Sequence, residues 1–138
     1  MTTHLMNTYA RQPVAFVRGE GAYLWDETGK RYLDAVAGVA VNGLGHAHPK
    51  LVKAIADQAA ALIHTSNLYR VLRQEELADR LCELSGMDKA FFCNSGCEAN
   101  EAAIKLARLH TPKERYKIIT FRGGFHGRTL GSTAATAQ

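Results

Sequence analysis

A short segment near the middle of the chain carries the residue types that hold an anion. The run Asn94-Ser95-Gly96-Cys97-Glu98 is typical of a turn that opens a helix. Ser95 is a good N-cap and Glu98 completes a capping box, while Gly96 has no Cβ and allows close approach to the backbone. Because a helix start has unpaired N–H groups and the positive dipole end, the segment predicts a phosphate seat. An ordinary capped helix that binds nothing is the alternative.

A second segment, the glycine-rich loop Arg122–Arg128, carries side chains that suit a flat, acidic ligand. The ring of Phe125 can stack on a planar heterocycle. Arg128 can hold a carboxylate through two parallel hydrogen bonds, which a lysine cannot imitate. Phe125 could instead belong to the core, His126 be a satisfied loop histidine, and Arg128 a solvated charge. Together with the phosphate seat, the loop predicts a phosphorylated planar cofactor that acts on an amino or keto acid.

The elements that position these two segments form a predicted strand–helix–strand unit. The pattern indicates a short buried strand over Lys89–Asn94, a helix over Ser95–His110 and a second strand over Tyr116–Phe121. Such a unit implies a parallel sheet, whose ligands bind at the carboxyl ends of the strands. The phosphate seat and the glycine-rich loop both lie at such ends, so we expect them to share one site.

The amino-terminal half has a different character. Val14–Asp34 is typical of a small antiparallel meander with turns at its glycines. Apolar stripes predict a helix that begins at Pro49 and another over Val71–Ser85, both packed into a core. We therefore expect two domains, with residues 1–60 in a smaller amino-terminal part and residues 61–138 starting a larger one.

Composition limits the class of protein. The chain has 138 residues, 46% of them hydrophobic and 22% charged, and a net charge of +4. These values are normal for a globular protein, and no apolar run approaches the roughly 20 residues that span a bilayer. The basic residues are scattered, so we expect no nucleic-acid partner. The first residues lack the pattern of a signal peptide, which predicts a cytoplasmic protein without a membrane partner.

The cysteines predict neither disulfides nor a metal centre. Cys82, Cys93 and Cys97 are odd in number, and free thiols are expected. The C-x-x-x-C spacing of the last two fits neither the redox motif nor a common zinc pattern. The small, weakly polar run Ser132–Gln138 has no terminating residue, and we expect that the chain stops inside a domain.

Four separated segments of the chain form one ordered set of motifs: Leu24–Asp34, Asn42–Pro49, Phe92–Lys105 and Phe125–Thr129. With these motifs the chain resembles the class III pyridoxal-phosphate-dependent aminotransferases over nearly its whole length. The resemblance implies a type I pyridoxal-phosphate fold of class α/β, with a small α+β segment before the large, mainly parallel-sheet domain. It also implies a homodimer with active sites at the subunit interface.

The resemblance implies a role for each residue of the two segments. The Ser95 hydroxyl and the backbone N–H groups of Gly96 and Cys97 would hold the phosphate of pyridoxal 5′-phosphate. Phe125 would stack on its pyridine ring and Arg128 would bind the substrate carboxylate, with His126 beside them in a less defined role. Position 97 is usually Thr or Ala in the family. Cys97 keeps the N–H donor but lacks a hydroxyl.

The reaction that the resemblance implies is Schiff-base transamination between N2-acetyl-L-ornithine and 2-oxoglutarate, within arginine biosynthesis. Ornithine, succinylornithine or 4-aminobutyrate as the amino donor remain open, as does a non-catalytic module that binds a phosphorylated ligand. No catalytic residue is expected here, because the family's Schiff-base lysine and its acidic partner would lie beyond residue 138. Lys105 follows the phosphate seat on the same helix and is not that lysine. The 138 residues alone are therefore expected to be inactive.

Overall fold

The computed structural model describes residues 4–137, so part of the expectation about the amino-terminal signal falls on residues outside it. The chain divides into two compact units, Met1–Ser66 and Asn67–Gln138. In chain order the elements are β1 Phe16–Glu20, β2 Tyr23–Asp26, β3 Arg31–Leu33, α1 Ala37–Ala40, α2 Pro49–Ala61, α3 Leu72–Ser85, α4 Gly96–His110 and α5 Leu130–Ala135. None of the helices within residues 4–137 has the length and apolar character needed to cross a membrane.

The first unit contains the predicted antiparallel meander. Strand β2 pairs with β1 on one side and with β3 on the other. Asp26 organises the turn between β2 and β3: its Oδ1 accepts from Thr28 N at 2.9 Å, Thr28 Oγ1 at 2.7 Å and Lys30 N at 3.0 Å. Its Oδ2 accepts from Tyr32 Oη at 2.9 Å. These bonds, that of the Thr28 hydroxyl first, lower the pKa of the buried Asp26 carboxyl to about 2.

The segment after β3 adopts a backbone that its residue types disfavour. Ala37, Val39 and Ala40 have φ angles of 50°, 59° and 65°, in the left-handed region, so α1 is not a regular right-handed turn. Asp34 holds the entry to this segment, because its Oδ1 accepts from Ala37 N at 2.8 Å. Its Oδ2 lies 2.7 Å from His46 Nε2, and this contact is the main cause that lowers the pKa of Asp34. One carboxylate therefore contacts both Ala37, at the start of this segment, and His46, which follows it in the chain.

The predicted limits of the longer helices are confirmed. Helix α2 begins at Pro49, and proline costs no helical hydrogen bond there, because an N–H group at the first helical position has no acceptor within the helix. Helix α3 is followed by Gly86, whose φ of 71° is the left-handed conformation that ends many helices. Helix α4 has Ser95 as its N-cap and Thr111 as its C-cap. Local signals in the sequence were sufficient for each of these limits.

The two strands predicted around α4 are not formed. Within residues 4–137 the only sheet is β1-β2-β3, and neither 89–94 nor 116–121 pairs with another segment. A strand needs a hydrogen-bonded neighbour, which an apolar run cannot supply by itself. The first segment is also not buried, since Phe91 is 71% exposed.

The prediction that the apolar stripes of α2 and α3 are packed into a core is also wrong for this chain. No hydrophobic side chain of the described residues is buried; the buried residues among them are Asp26, Gly127 and Ser132. Ile55 on α2 is 61% exposed and Leu84 on α3 is 68% exposed. An amphipathic helix buries its stripe only against a second layer, and the described residues do not provide one for these helices.

Candidate functional site

The amino terminus of α4 has the cap that the sequence predicts. Ser95 is extended, with φ −156° and ψ 158°, and its Oγ accepts from Glu98 N at 3.2 Å. The other half of the predicted capping box is wrong, because Glu98 Oε2 accepts from Asn94 N at 2.5 Å instead of from Ser95 N. The carboxylate thus stabilises the chain one residue before the cap, at the positive end of the helix dipole.

The first two amides of α4 remain available to an outside acceptor. In the described part of the chain, the N–H groups of Gly96 and Cys97 have no hydrogen-bond acceptor. A Cβ built on Gly96 would meet no atom within 4 Å, so the backbone is open at this point. Two unused amides at the positive helix end, with open space beside them, suit a small anion such as a phosphate.

The glycine-rich loop lies directly against α4, as expected for a shared site. Asn100 Nδ2 donates to His126 O at 2.6 Å, and Arg128 N donates to Cys97 Sγ at 3.4 Å. Gly127 has a φ of 126°, and a Cβ there would overlap Cys97 Sγ and lie 2.9 Å from Ser132 Cβ. Only glycine permits this approach of the loop to the first turn of the helix.

The ring and the guanidinium of the loop lie next to each other at the surface. Phe125 is 56% exposed, which excludes the alternative that it is a core residue in this chain. Arg128 Cζ lies 5.3 Å from the centre of the Phe125 ring, within the range of a cation–π contact. The loop therefore presents an aromatic face and a planar cation together.

His126 is held mainly through its backbone. Its N–H donates to Thr136 Oγ1 at 3.0 Å, and its carbonyl receives the bond from Asn100. Its Nδ1 is buried and has no hydrogen-bond partner in residues 4–137. The backbone of His126 thus attaches the loop to Asn100 and to Thr136.

Glu101 is a residue of this region that reasoning from the sequence missed. Its Oε1 accepts from Gly131 N at 2.9 Å, from Ser132 N at 3.2 Å and from the Thr129 hydroxyl. The Thr129 hydroxyl is the main cause that lowers the pKa of the Glu101 carboxyl, and the two amides add to it. The sequence has no signal for these contacts, because they join residues 28 to 31 positions apart.

The thiols and the other potential ligands form no metal centre in the part of the chain that the structure describes. Cys82, Cys93 and Cys97 are free. No group of three His, Cys, Asp or Glu side chains in the described residues is arranged to hold a metal ion.

Known proteins resemble this chain in both sequence and structure. Residues 5–138 match the model of a family described as aminotransferase class-III. A protein from Nitrosomonas europaea named acetylornithine aminotransferase is 60% identical over an alignment of 139 positions, which covers 99% of this chain and 35% of that protein. The chain spans about a third of the length of the curated relatives that it matches.

Solved structures share the fold. The crystal structure of N-acetylornithine aminotransferase from Stenotrophomonas maltophilia is 44% identical, with a TM-score of 0.77 over 86% of this chain and 34% of that one. The ornithine aminotransferase from Toxoplasma gondii is 30% identical, with a TM-score of 0.90 over 98% of this chain and 33% of that one. The expected α/β fold class is confirmed by these matches.

Proposed function

The chain belongs to the class-III aminotransferase family, and from this premise we propose that it is part of an enzyme that transfers an amino group from N2-acetyl-L-ornithine to 2-oxoglutarate. The main support is the 60% identity to a relative named acetylornithine aminotransferase. Because the chain spans about a third of that relative, the activity is assigned to a protein of the relative's length. On this proposal the protein is a cytoplasmic homodimer in arginine biosynthesis.

The proposed cofactor is pyridoxal 5′-phosphate, and the residues at the start of α4 fit its phosphate. The Gly96 and Cys97 amides would donate to phosphate oxygens beside the open space at Gly96. Ser95 Oγ accepts from Glu98 N and can still donate its own hydrogen. When bound, this cofactor supplies the electron sink that amino transfer requires.

Cys97 makes its proposed contribution through the backbone. Its Sγ accepts from Arg128 N and lies against Gly127. The thiol is therefore engaged with the loop, and the amide N–H is the donor that remains for an anion. The substitution of Cys for the family's usual Thr or Ala at this position is compatible with the phosphate seat.

The loop residues would orient the flat and acidic parts of the ligands. Phe125 is more than half exposed, so its ring has room for a planar heterocycle. Arg128 would bind a carboxylate, a group that the amino donor carries once and 2-oxoglutarate carries twice. The contact between the Arg128 guanidinium and the Phe125 ring supports the proposal that the two residues act on one ligand site.

The group that moves the proton is proposed to lie outside these 138 residues. Lys105 is on α4, one turn after Glu101, and its charge contributes to the lowered pKa of that carboxyl. A lysine in that place supports the helix and is not offered as the Schiff-base residue. We therefore expect no turnover from the 138 residues alone.

A comparison of amino donors with the full-length protein tests the function. We expect N2-acetyl-L-ornithine to give a kcat/KM at least about tenfold above those of ornithine, succinylornithine and 4-aminobutyrate, a difference of about 1.4 kcal/mol. Ornithine is the second candidate for the amino donor, because this chain matches the structure of the ornithine aminotransferase from Toxoplasma gondii with a TM-score of 0.90. A preference for ornithine would replace the proposed donor, and absence of turnover with every donor would end the proposal of an aminotransferase.

A further inference from the structure

The start of α5 is capped from another helix. Its own N-cap, Thr129, makes no side-chain cap hydrogen bond. The amides of Gly131 and Ser132, two of the unpaired donors at the helix start, donate instead to Glu101 Oε1 on α4. The hydroxyl of Thr129 donates to the same oxygen. A single carboxylate thus replaces the local cap and gathers three donors from one short stretch of chain.

The fit around this carboxylate is close. A Cβ built on Gly131 would lie 2.5 Å from Glu101 Oε2 and 2.9 Å from its Cδ, so no larger residue fits there without a shift. Ser132 is fully buried, and its Oγ donates to Cys97 O at 3.3 Å. The chain from Thr129 onward is therefore packed against the face of α4 that carries Cys97 and Glu101, four residues apart.

The preceding residue of α4 holds the other side of the loop. Asn100 Nδ2 donates to His126 O, so the loop is attached at 126 by Asn100 and at 129–132 by Glu101. Arg128 lies between these two attachments, and Phe125 lies one residue before the first.

We propose that Glu101 is a positioning residue, whose carboxylate fixes the loop so that Phe125 and Arg128 are held beside the phosphate seat at Gly96 and Cys97. The inference rests on the proposed function, since it takes Phe125 and Arg128 as the ligand contacts of the loop. Glu101 touches neither cofactor nor substrate in this account and acts through Thr129, Gly131 and Ser132.

The first experiment replaces Glu101 in the full-length protein and measures separately the amide hydrogen exchange of the loop and the affinity for the cofactor. In Glu101→Ala, amide hydrogen exchange of peptides that cover 125–137 is expected to rise by about tenfold in the cofactor-free protein, because their attachment to α4 is lost. The dissociation constant for pyridoxal 5′-phosphate is expected to rise by about tenfold, equivalent to about 1.4 kcal/mol. The KM for 2-oxoglutarate should rise more than kcat falls, since Arg128 would be less well placed.

Three further variants separate a positioning role of Glu101 from a general effect on stability. Glu101→Gln keeps an acceptor oxygen and should recover most of the exchange protection and the cofactor affinity. Glu114→Ala removes an exposed glutamate beyond the end of α4 and should leave every measurement unchanged. If Glu101→Ala does not fold, Thr129→Val removes one of the three donors and should give a smaller increase in exchange and in the dissociation constant.

The outcomes distinguish this inference from the proposed function. The positioning role of Glu101 is overturned if Glu101→Ala melts at a lower temperature but retains wild-type amide exchange at 125–137 and wild-type cofactor affinity. Where Glu101→Ala does not fold, the same result for Thr129→Val overturns it. If the wild type turns over no amino donor while Glu101→Ala still loosens the loop and weakens cofactor binding, the proposed reaction fails and the positioning role stands.

Discussion

Asp26 in the first unit and Glu101 in the second each gather several hydrogen bonds on one carboxylate, but from very different distances along the chain. The donors to Asp26 lie two, four and six residues away, in the same turn and the adjoining strand. The donors to Glu101 lie 28 to 31 residues away, on another loop and helix. The first carboxylate builds a local turn, whereas the second joins two segments that would otherwise be independent.

The comparison predicts that changes at the first carboxylate affect stability alone and that changes around the second affect ligand binding. Local contacts re-form whenever the turn folds, since all their members are neighbours in sequence. Contacts between distant segments fix the relative position of groups that must meet at one ligand. The variants below test this division in order of decreasing expected effect.

Gly127→Ala is expected to have the largest effect. The φ of 126° disfavours any other residue, and the new Cβ would overlap Cys97 Sγ, so the loop must move away from α4. We expect a loss of about 3 kcal/mol or more in stability, or a folded protein with at least about 100-fold weaker cofactor binding. Thermal unfolding and spectroscopic cofactor titration measure the two outcomes.

Gly43→Ala is the matched control for this variant, because a Cβ there would meet no atom within 4 Å. It should leave the melting temperature and the cofactor affinity close to those of the wild type. Wild-type stability and affinity in Gly127→Ala would contradict the close contact between the loop and α4.

Asp26→Asn is expected to lower stability without altering the site. The folded pKa of about 2 lies below the ordinary value of 3.8, so the carboxylate stabilises the fold above about pH 4 and this contribution is lost as the pH falls toward 2. The urea midpoint of the wild type should fall between pH 4 and pH 2, and the variant should show a shallower fall. Its cofactor dissociation constant should equal that of the wild type. A weaker cofactor affinity in Asp26→Asn would contradict the distinction between Asp26, whose carboxylate stabilises a local turn, and Glu101, whose carboxylate joins two distant segments.

Cys97→Ala should have the smallest effect. The variant loses the weak bond from Arg128 N to Sγ but keeps the backbone N–H at the start of α4. We expect a change of less than about threefold in the cofactor dissociation constant, which corresponds to well under 1.4 kcal/mol. A larger loss would mean that the thiol itself contributes to cofactor binding.

The sequence predicts best those features whose determinants are neighbours in the chain. Helix limits depend on the conformational and hydrogen-bonding properties of single residues, here Pro49, Gly86 and Ser95. The structure has these limits where the sequence predicts them. The meander likewise follows from alternating residues and turn glycines. The proximity of the glycine-rich loop to α4 was also expected, although the expectation came from a strand–helix–strand unit whose two strands are not formed among the described residues.

The features that the sequence does not reveal depend on distant partners. The left-handed segment at 37–40 is held by Asp34, which also contacts His46, 12 residues away. Glu101 resembles any exposed glutamate of a helix until the start of α5 is placed against it. The predictions of strands at 89–94 and 116–121 were wrong for the same reason. A strand requires a hydrogen-bonded neighbour, and the sequence of one segment does not specify that neighbour.

The proposed binding of a phosphate by backbone amides at the start of α4 is tested most directly by a proline at position 96. Gly96 is the first residue of the helix, where proline is well tolerated, and the extended Ser95 before it is compatible with a following proline. Gly96→Pro therefore removes one N–H donor and preserves the helix, whereas Gly96→Ala keeps the donor and places its Cβ in open space.

The decisive measurement is the dissociation constant of the full-length variants for pyridoxal 5′-phosphate and for pyridoxal, which lacks the phosphate. We expect Gly96→Pro to bind pyridoxal 5′-phosphate at least about tenfold more weakly than Gly96→Ala, and the two variants to bind pyridoxal equally. Equal affinity of the two variants for pyridoxal 5′-phosphate would contradict the assignment of the phosphate to these amides.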